Sequence, residues 1–259
     1  MEILSSKADG ILTLEFNRPE RKNAITNAMY LAMAAAIRDA ETDPAIRVIL
    51  ITGKPEIFTA GNDLEDFLKN SAPTDGAAHE ERGVFQFMRA LSGAAKPVVA
   101  AVAGAAIGIG TTMLMHCDLV YAADNAKLSL PFAPLGLCPE FASSLVLPQL
   151  AGYTRAAEKL MLGEPFSAQE GLEMGLVARI LPVAELLPFA RAQAAKLAAL
   201  PPASIRTTKQ LMKRTRTPAI NETMAVENEL FFSMLQAGEA KEAFTAFFEK
   251  RKPDFSRFS

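Results

Sequence analysis

A single carboxylate in an apolar stretch is the residue of this sequence best suited to proton transfer. Glu140 is the only charged residue in "LSLPFAPLGLCPEFASSLVLPQL". Burial among apolar side chains disfavours the ionised form and raises the pKa of a carboxyl group, which makes it a stronger base. A second interpretation stays open, because a helix could begin at Pro139 and its dipole would then stabilise a glutamate in the first turn.

Two glycine-containing stretches could present backbone amides to a ligand. Both "IFTAGNDLEDF" and "AVAGAAIGIGTTML" place glycine between a predicted strand and a predicted helix. Glycine lets a ligand approach the backbone closely, and the first N–H groups of a helix lack partners within it. Two such amides that converge on one point would form an oxyanion hole. The alternatives are tight helix–strand packing and a dinucleotide fingerprint, although Met113 occupies the position of the third fingerprint glycine.

The remaining reactive side chains give weaker signals. His79 lies in a polar stretch and His116 ends a predicted helix, positions where single histidines are usually structural or at the surface. Cys117 and Cys138 lack metal-ligand spacing and cannot build a disulfide framework, so we expect inert thiols in apolar surroundings. The sequence therefore predicts no metal site.

The elements that would position these groups alternate in the first half of the chain. Strands are predicted at "ILTLEFN", "IRVILITG", "KPVVAAVAG", "DLVYAAD" and "AKLSL", with helices at "TNAMYLAMAAAIRDAETD", "VFQFMRALSG" and "GIGTTMLMHC". Thr26 or Asn27 is a plausible N-cap of the first helix. The polar stretch "KNSAPTDGAAHEERG" is predicted to be a mobile loop. Alternating strands and helices predict an α/β protein with a parallel sheet.

From about Phe141 onward the pattern is almost entirely helical. The stretch "PAINETMAVENELFFSMLQAGEAKEAFTAFFEK" is predicted to be one long helix near the end of the chain. Its apolar stripe comprises Met224, Leu230, Phe231, Met234, Leu235, Phe244, Phe247 and Phe248. Such a stripe packs either against the core of its own chain or against another subunit, and composition alone does not separate the two.

Composition limits the classes of partner. The chain has 259 residues, 50% of them hydrophobic and 22% charged, with a formal net charge of −2. This balance gives no reason to expect a nucleic acid partner. No signal peptide and no apolar run long enough to span a membrane are visible, so we expect a cytoplasmic protein without a membrane partner.

Four ordered motifs together resemble the crotonase (enoyl-CoA hydratase/isomerase) superfamily. They are "NRPERKNAI", "FTAGNDLEDF", "KPVVAAVAGAAIGIG" and "CDLVYAADNAKLSLPFAPLGLCPE". The resemblance implies an α/β fold with a crotonase-like spiral of repeated ββα units in residues 1–200. It also implies a C-terminal helical trimerisation region in residues 201–259, and hence a homotrimer or a dimer of trimers. The implied substrate is an acyl-CoA thioester, with no separate cofactor because coenzyme A is part of the substrate.

The resemblance also implies a set of site residues. The oxyanion hole would be formed by the backbone N–H groups of Ala60 and Ile109, with Glu140 as the catalytic base. The residues implied in substrate binding are Arg18, Arg21, Ala60, Gly61, Asn62, Asp63, Leu64, Gly108, Gly110 and Phe132. The acyl pocket is expected to be lined from the region between Phe67 and Phe87.

Departures from the superfamily pattern narrow the expected reaction. Members that hydrate a double bond use two glutamates, and the matching positions here are Thr112 and Phe132. Neither side chain can activate water or deliver a proton to the α-carbon. The segment "LGLCPE" is similar to the Δ3,Δ2-enoyl-CoA isomerase branch, in which the matching glutamate is the single base. The alternatives are a hydratase-like or other crotonase activity and a non-catalytic acyl-CoA-binding protein.

Overall fold

Ten strands and eleven helices form the framework of the chain in the computed structural model, which describes residues 1–70 and 82–258. His79 and most of the predicted mobile loop lie outside these residues. The strands are β1 (Ile3–Ala8), β2 (Ile11–Phe16), β3 (Val48–Thr52), β4 (Ile57–Thr59), β5 (Val98–Val102), β6 (Ala105–Ile107), β7 (Leu119–Ala123), β8 (Lys127–Ser129), β9 (Phe166–Ser167) and β10 (Arg179–Leu181). The helices are α1 (Asn27–Thr42), α2 (Leu64–Asn70), α3 (Gly83–Ser92), α4 (Ile109–Thr112), α5 (Ser143–Ala151), α6 (Tyr153–Ala157), α7 (Ala168–Glu173), α8 (Val183–Ala199), α9 (Pro202–Lys213), α10 (Thr217–Leu235) and α11 (Gly238–Phe248).

The strands form two sheets. The larger sheet has the order β1-β2-β3-β5-β7-β10 and the smaller has the order β4-β6-β8-β9. The pairs β1/β2 and β8/β9 are antiparallel, and the other neighbouring strands run parallel. Each of the pairs β3–β4, β5–β6 and β7–β8 gives one strand to each sheet before a helical segment follows. This arrangement is the spiral of repeated ββα units that the sequence predicts.

Side chains of the larger sheet pack on both of its faces. Every residue of β3 and β5 is buried. Ile49 and Ile51 belong to the core that contains Met33 of α1, whereas Val48 and Leu50 pack in a second core with α8. A parallel strand covered on both faces needs apolar residues at consecutive positions, which explains the uninterrupted "VILI" of β3.

The predicted long C-terminal helix is wrong in one respect, because the chain forms two helices there. α10 ends at Leu235 and α11 begins at Gly238, after Ala237 in an extended conformation. The break turns α11 back onto the short 3-10 helix Ala133–Leu135. As a result, Phe231 of α10 and Phe244, Phe247 and Phe248 of α11 line one cavity. None of the helices in the described ranges is both long enough and apolar enough to cross a membrane.

Candidate active site

A cavity of about 520 Å³ lies at the carboxyl ends of three neighbouring strands of the smaller sheet. The segments that follow β4, β6 and β8 line it, together with side chains from α10 and α11. In parallel α/β sheets, ligands bind at this edge because the connecting loops meet there. The lining residues are Arg21, Ala24, Ala60, Gly61, Asn62, Asp63, Leu64, Glu65, Phe67, Ile107, Gly108, Ile109, Pro131, Phe132, Pro134, Leu135, Leu137, Phe231, Phe244, Phe247 and Phe248.

The loop after β4 is held tightly by its neighbours. Ile25 donates its N–H to the Gly61 carbonyl oxygen at 2.8 Å, and the Asp63 N–H donates to the Ile25 carbonyl oxygen at 2.9 Å. Gly61 has a φ of +85°, and a Cβ at this position would lie 2.7 Å from the Ile107 carbonyl oxygen. Glycine is therefore required where this loop crosses the end of β6.

The hydrogen bonds of this loop change the predicted oxyanion donor. The Ala60 N–H donates to the Lys22 carbonyl oxygen at 3.0 Å, so Ala60 lines the cavity without a free amide. The Asn62 N–H, two residues further on, has no acceptor among the described residues. The Tyr30 hydroxyl donates to Asn62 Oδ1 at 2.6 Å and fixes that residue. The available amide of the first glycine motif is thus that of Asn62.

The second predicted donor, Ile109, stands at the first position of α4. Its N–H has no acceptor in the described part of the chain, as expected for the first residue of a helix. Gly108 precedes it with φ 55° and ψ −118°, a conformation that residues with a Cβ avoid. Because β4 and β6 are parallel neighbours, about 4.8 Å apart, the amides of Asn62 and Ile109 lie on adjacent loops.

Three of the predicted substrate-binding residues have structural roles. Asp63 also lines the cavity, whereas Arg18 and Gly110 do not. The Arg18 guanidinium bonds to Asp63 Oδ2 at 2.7 Å, to Glu2 Oε1 at 2.8 Å and to a backbone carbonyl, and Arg18 does not line the cavity. Asp63 also accepts from the Asp66 N–H at the start of α2. A Cβ at Gly110 would lie 2.5 Å from Thr59 Cγ2, and Gly110 does not line the cavity either. Arg18 and Gly110 therefore shape the site without forming its surface.

The Glu140 carboxylate is buried, with 5% of the residue exposed. Oε1 accepts a hydrogen bond from the Thr112 hydroxyl at 2.5 Å, and Oε2 has no partner among the described residues. The pKa of Glu140 is raised to about 8, mainly by desolvation; the Thr112 hydroxyl opposes the rise and the Glu227 charge adds to it. A carboxylate with this pKa can act as a general base near neutral pH. It does not reach the cavity surface itself.

The alternative interpretation of Glu140 as a first-turn helix residue is wrong. α5 begins only at Ser143, and the two residues before it, Phe141 and Ala142, have left-handed φ values of 58° and 55°. Two consecutive non-glycine residues in this region are strained and persist only when their surroundings hold them. His116 contributes, because its Nε2 bonds to the Phe141 carbonyl oxygen at 2.7 Å and its ring stacks on the Phe141 ring.

Glu227 of α10 is the carboxylate that serves the start of α5. Its Oε2 accepts from the Ala142 N–H at 2.5 Å, and its Oε1 accepts from the Ser144 N–H at 3.0 Å and from the Ser144 hydroxyl at 2.5 Å. Burial raises the pKa of Glu227, while these three donors favour its ionised form. A side chain from the C-terminal helices therefore fixes the segment that carries Glu140.

Replacing Glu227 by glutamine is expected to destabilise the protein by about 1–3 kcal/mol, because the amide nitrogen cannot accept from the buried N–H groups it would face. The free energy of unfolding in urea measures the loss. Glu222→Gln, an exposed change on the same helix, should alter that free energy by less than about 0.5 kcal/mol. Equal stabilities for the two variants would contradict the assigned role of Glu227.

Comparison with known proteins agrees with this architecture. Residues 6–257 match the family described as "Enoyl-CoA hydratase/isomerase". The chain is 32% identical over 254 residues to a 2,3-dehydroadipyl-CoA hydratase from Escherichia coli (strain K12), covering 98% of each protein. It is 36% identical over 224 residues to enoyl-CoA delta isomerase 2 from Rattus norvegicus, covering 85% of this chain and 57% of that protein.

A solved structure shows the same fold. The crystal structure of an enoyl-CoA hydratase/isomerase from Pseudoalteromonas atlantica T6c is similar to this chain with a TM-score of 0.91 and 37% sequence identity, covering 98% of this chain and 100% of that one. The chain therefore belongs to the enoyl-CoA hydratase/isomerase family, in the crotonase superfamily, and is an enzyme of that family.

Proposed function

We propose that this protein is an isomerase that moves the double bond of a 3-enoyl-CoA thioester from C3 to C2. The observation that carries the proposal is the state of Glu140: a buried carboxylate with a pKa of about 8, one oxygen held by Thr112 and the other without a hydrogen-bond partner among the described residues. Thr112 and Phe132 occupy the positions of the two hydratase glutamates. The site thus offers one base where water addition requires two groups.

In the proposed mechanism the proton moves in two steps through one carboxylate. Glu140 Oε2 removes a proton from C2: the C2–H bond breaks, an O–H bond forms, and the electron pair passes through the dienolate to the thioester oxygen. The N–H groups of Asn62 and Ile109 stabilise that oxygen. Protonated Glu140 then returns the proton to C4 as the electron pair moves back, which leaves the conjugated 2-enoyl thioester.

The acyl chain must reach a carboxylate that does not form part of the cavity wall. Phe132 and Leu137 line the cavity, and Thr112, which contacts the carboxylate, lies one helical turn from Ile109. Hydrogen bonds that act in catalysis are often longer or misaligned before the substrate binds. The proposed binding step therefore includes a displacement of the side chains between the cavity and Glu140.

The second candidate function is hydration of a 2-enoyl-CoA. The name of the Escherichia coli relative favours it, because that protein is a hydratase. A parallel assay separates the two: purified protein is mixed with trans-3-hexenoyl-CoA, and formation of the conjugated thioester is followed, while crotonyl-CoA hydration is measured beside it. Conjugation without hydration supports the isomerase. Faster hydration supports the second candidate, and tight coenzyme A binding without either reaction supports a binding protein.

We further propose that the protein is a homotrimer or a dimer of trimers. Support comes from large apolar side chains that remain exposed on the C-terminal helices: Leu211 at 64%, Met212 at 65%, Leu230 at 52% and Phe247 at 59%. Side chains of this kind on neighbouring helices mark surfaces that another protein chain covers. Light scattering on the eluting peak is expected to give three or six times the chain mass of 27.9 kDa. A stable monomer at micromolar concentration would rule the proposal out.

A further inference from the structure

The Thr112 hydroxyl is the partner of the Glu140 oxygen that moves no proton in the proposed mechanism. Thr112 is fully buried and donates its hydroxyl to Glu140 Oε1. We propose that Thr112 is a positioning residue that holds Oε1 and leaves Oε2 as the atom that accepts and returns the proton. This inference rests on the proposed role of Glu140 as the base.

The geometry of α4 gives Thr112 this role. Ile109 and Thr112 are the first and last residues of a single helical turn, and residues three apart on a helix lie on the same face, with Cβ atoms about 5–6 Å apart. The Thr111 hydroxyl donates to the Ala106 carbonyl oxygen at 2.5 Å and holds that turn against β6. One rigid turn therefore sets the distance between the oxyanion donor and the base.

The chemistry of the contact adds a second effect. A hydroxyl that donates to a carboxylate favours the ionised form, which opposes the desolvation that raises the pKa of Glu140. Threonine suits this task because its branched Cβ allows few rotamers in a helix. Removal of the hydroxyl should leave Glu140 with a higher pKa and a less fixed orientation.

The other titratable groups that interact with this carboxylate are Tyr30 on α1, Cys138 of its own segment and Glu227 on α10. Burial raises the pKa of Tyr30 well above its usual value and the pKa of Cys138 to about 11. These two groups are therefore uncharged between pH 5 and pH 9. Glu227 on α10 supplies the charge that acts on Glu140, and its three donors do not involve Thr112.

The test compares the pH dependence of kcat/KM for isomerisation of trans-3-hexenoyl-CoA in matched variants. Thr112→Val should move the acid limb up by about one pH unit, and so reduce the rate at pH 7 about tenfold. Thr112→Ala removes the hydroxyl without adding a methyl group. It should show the same shift and serves as the test if the valine variant does not fold. Thr112→Ser should restore the wild-type limb, because it restores the donor.

Thr111→Val is the matched control. It removes a buried hydroxyl from the same helical turn, and this hydroxyl bonds to Ala106 and not to Glu140. It should lower the melting temperature, and the rate at every pH because Thr111 holds the turn against β6, without moving the limb. A limb that stays in place in Thr112→Val and Thr112→Ala, or a serine variant that behaves like the valine variant, would overturn the proposal.

A measurement without turnover separates this inference from the proposed function. Infrared spectra are recorded as a function of pH for the wild-type protein and for Glu140→Gln, and their difference isolates the carboxyl band of Glu140. The difference between Thr112→Val and the Thr112→Val, Glu140→Gln double variant gives the pKa of Glu140 in the absence of the Thr112 hydroxyl. A higher pKa in that background supports the positioning role even if no enoyl-CoA is isomerised, in which case the proposed function alone fails. An unchanged pKa overturns the positioning role whatever the activity.

Discussion

Glu140→Gln is expected to lower the rate of 3-enoyl-CoA isomerisation about 10⁴-fold, at the upper end of what one acid–base group contributes, because the same carboxylate serves both proton transfers. Glutamine has nearly the same shape and can still accept from the Thr112 hydroxyl through its amide oxygen. The fold and coenzyme A binding should therefore persist. Steady-state kinetics beside a binding titration measure the two properties, and a variant that keeps near-wild-type turnover would disprove the assignment of the base.

The wild-type protein should show a dependence of stability on pH that the Glu140→Gln variant lacks. The pKa of Glu140 in the folded protein is about 8, above its ordinary value of 4.5. The folded state therefore binds the proton more tightly than the unfolded state does. The stability that results is fully present below pH 4.5 and is lost as the pH rises through 8. Glu140→Gln has no such loss, so its melting temperature should rise relative to the wild type between pH 5 and pH 9.

Ile109→Pro is expected to lower the isomerisation rate by about 10²–10³-fold, the usual cost of losing one oxyanion-hole donor. Proline has no backbone N–H, and it is well accepted at the first position of a helix, where Ile109 stands. The change therefore removes the donor with little effect on the backbone. KM should change less than kcat, because the oxyanion forms only during the reaction.

Ile109→Ala is the matched control for this prediction. It loses most of the same buried side chain but keeps the N–H, so its kcat should stay within about tenfold of the wild type, a loss well below the 10²–10³-fold effect of losing the donor. Equal losses of kcat in the proline and alanine variants would show that the side chain, and not the amide, is what the reaction needs.

Local signals predicted the elements that surround the site. The alternation in "ILTLEFN" and the apolar run in "IRVILITG" predict β2 and β3. Of the two N-cap candidates, Thr26 and Asn27, the structure has Thr26, whose hydroxyl accepts from the Met29 N–H. The resemblance carried by the four motifs implies the spiral fold, and two of its expected substrate-binding residues, Phe132 and Arg21, line the cavity. These features depend on short stretches of chain.

Features that depend on distant pairings were missed. The pairing of residues 22–25 with residues 60–63 decides which amide of the first glycine motif is free. The resemblance therefore implies Ala60 as the oxyanion donor, whereas the structure leaves the Asn62 amide available. Thr112 and Glu140 are 28 residues apart, and Ala142 and Glu227 are 85 residues apart. One signal could have identified Glu227, because it lies on the same face of α10 as the buried Met224 and Phe231.

The measurement that tests the central claim most directly is the pH dependence of kcat/KM for isomerisation of trans-3-hexenoyl-CoA by the wild-type protein. This quantity reports the ionisation of essential groups in the free enzyme. With Glu140 as the base, the rate should rise about tenfold per pH unit below pH 8 and level off above it, following the pKa of about 8. A rate that is constant from pH 6 to pH 9, or that falls as the pH rises, would contradict a single buried carboxylate as the group that moves the proton.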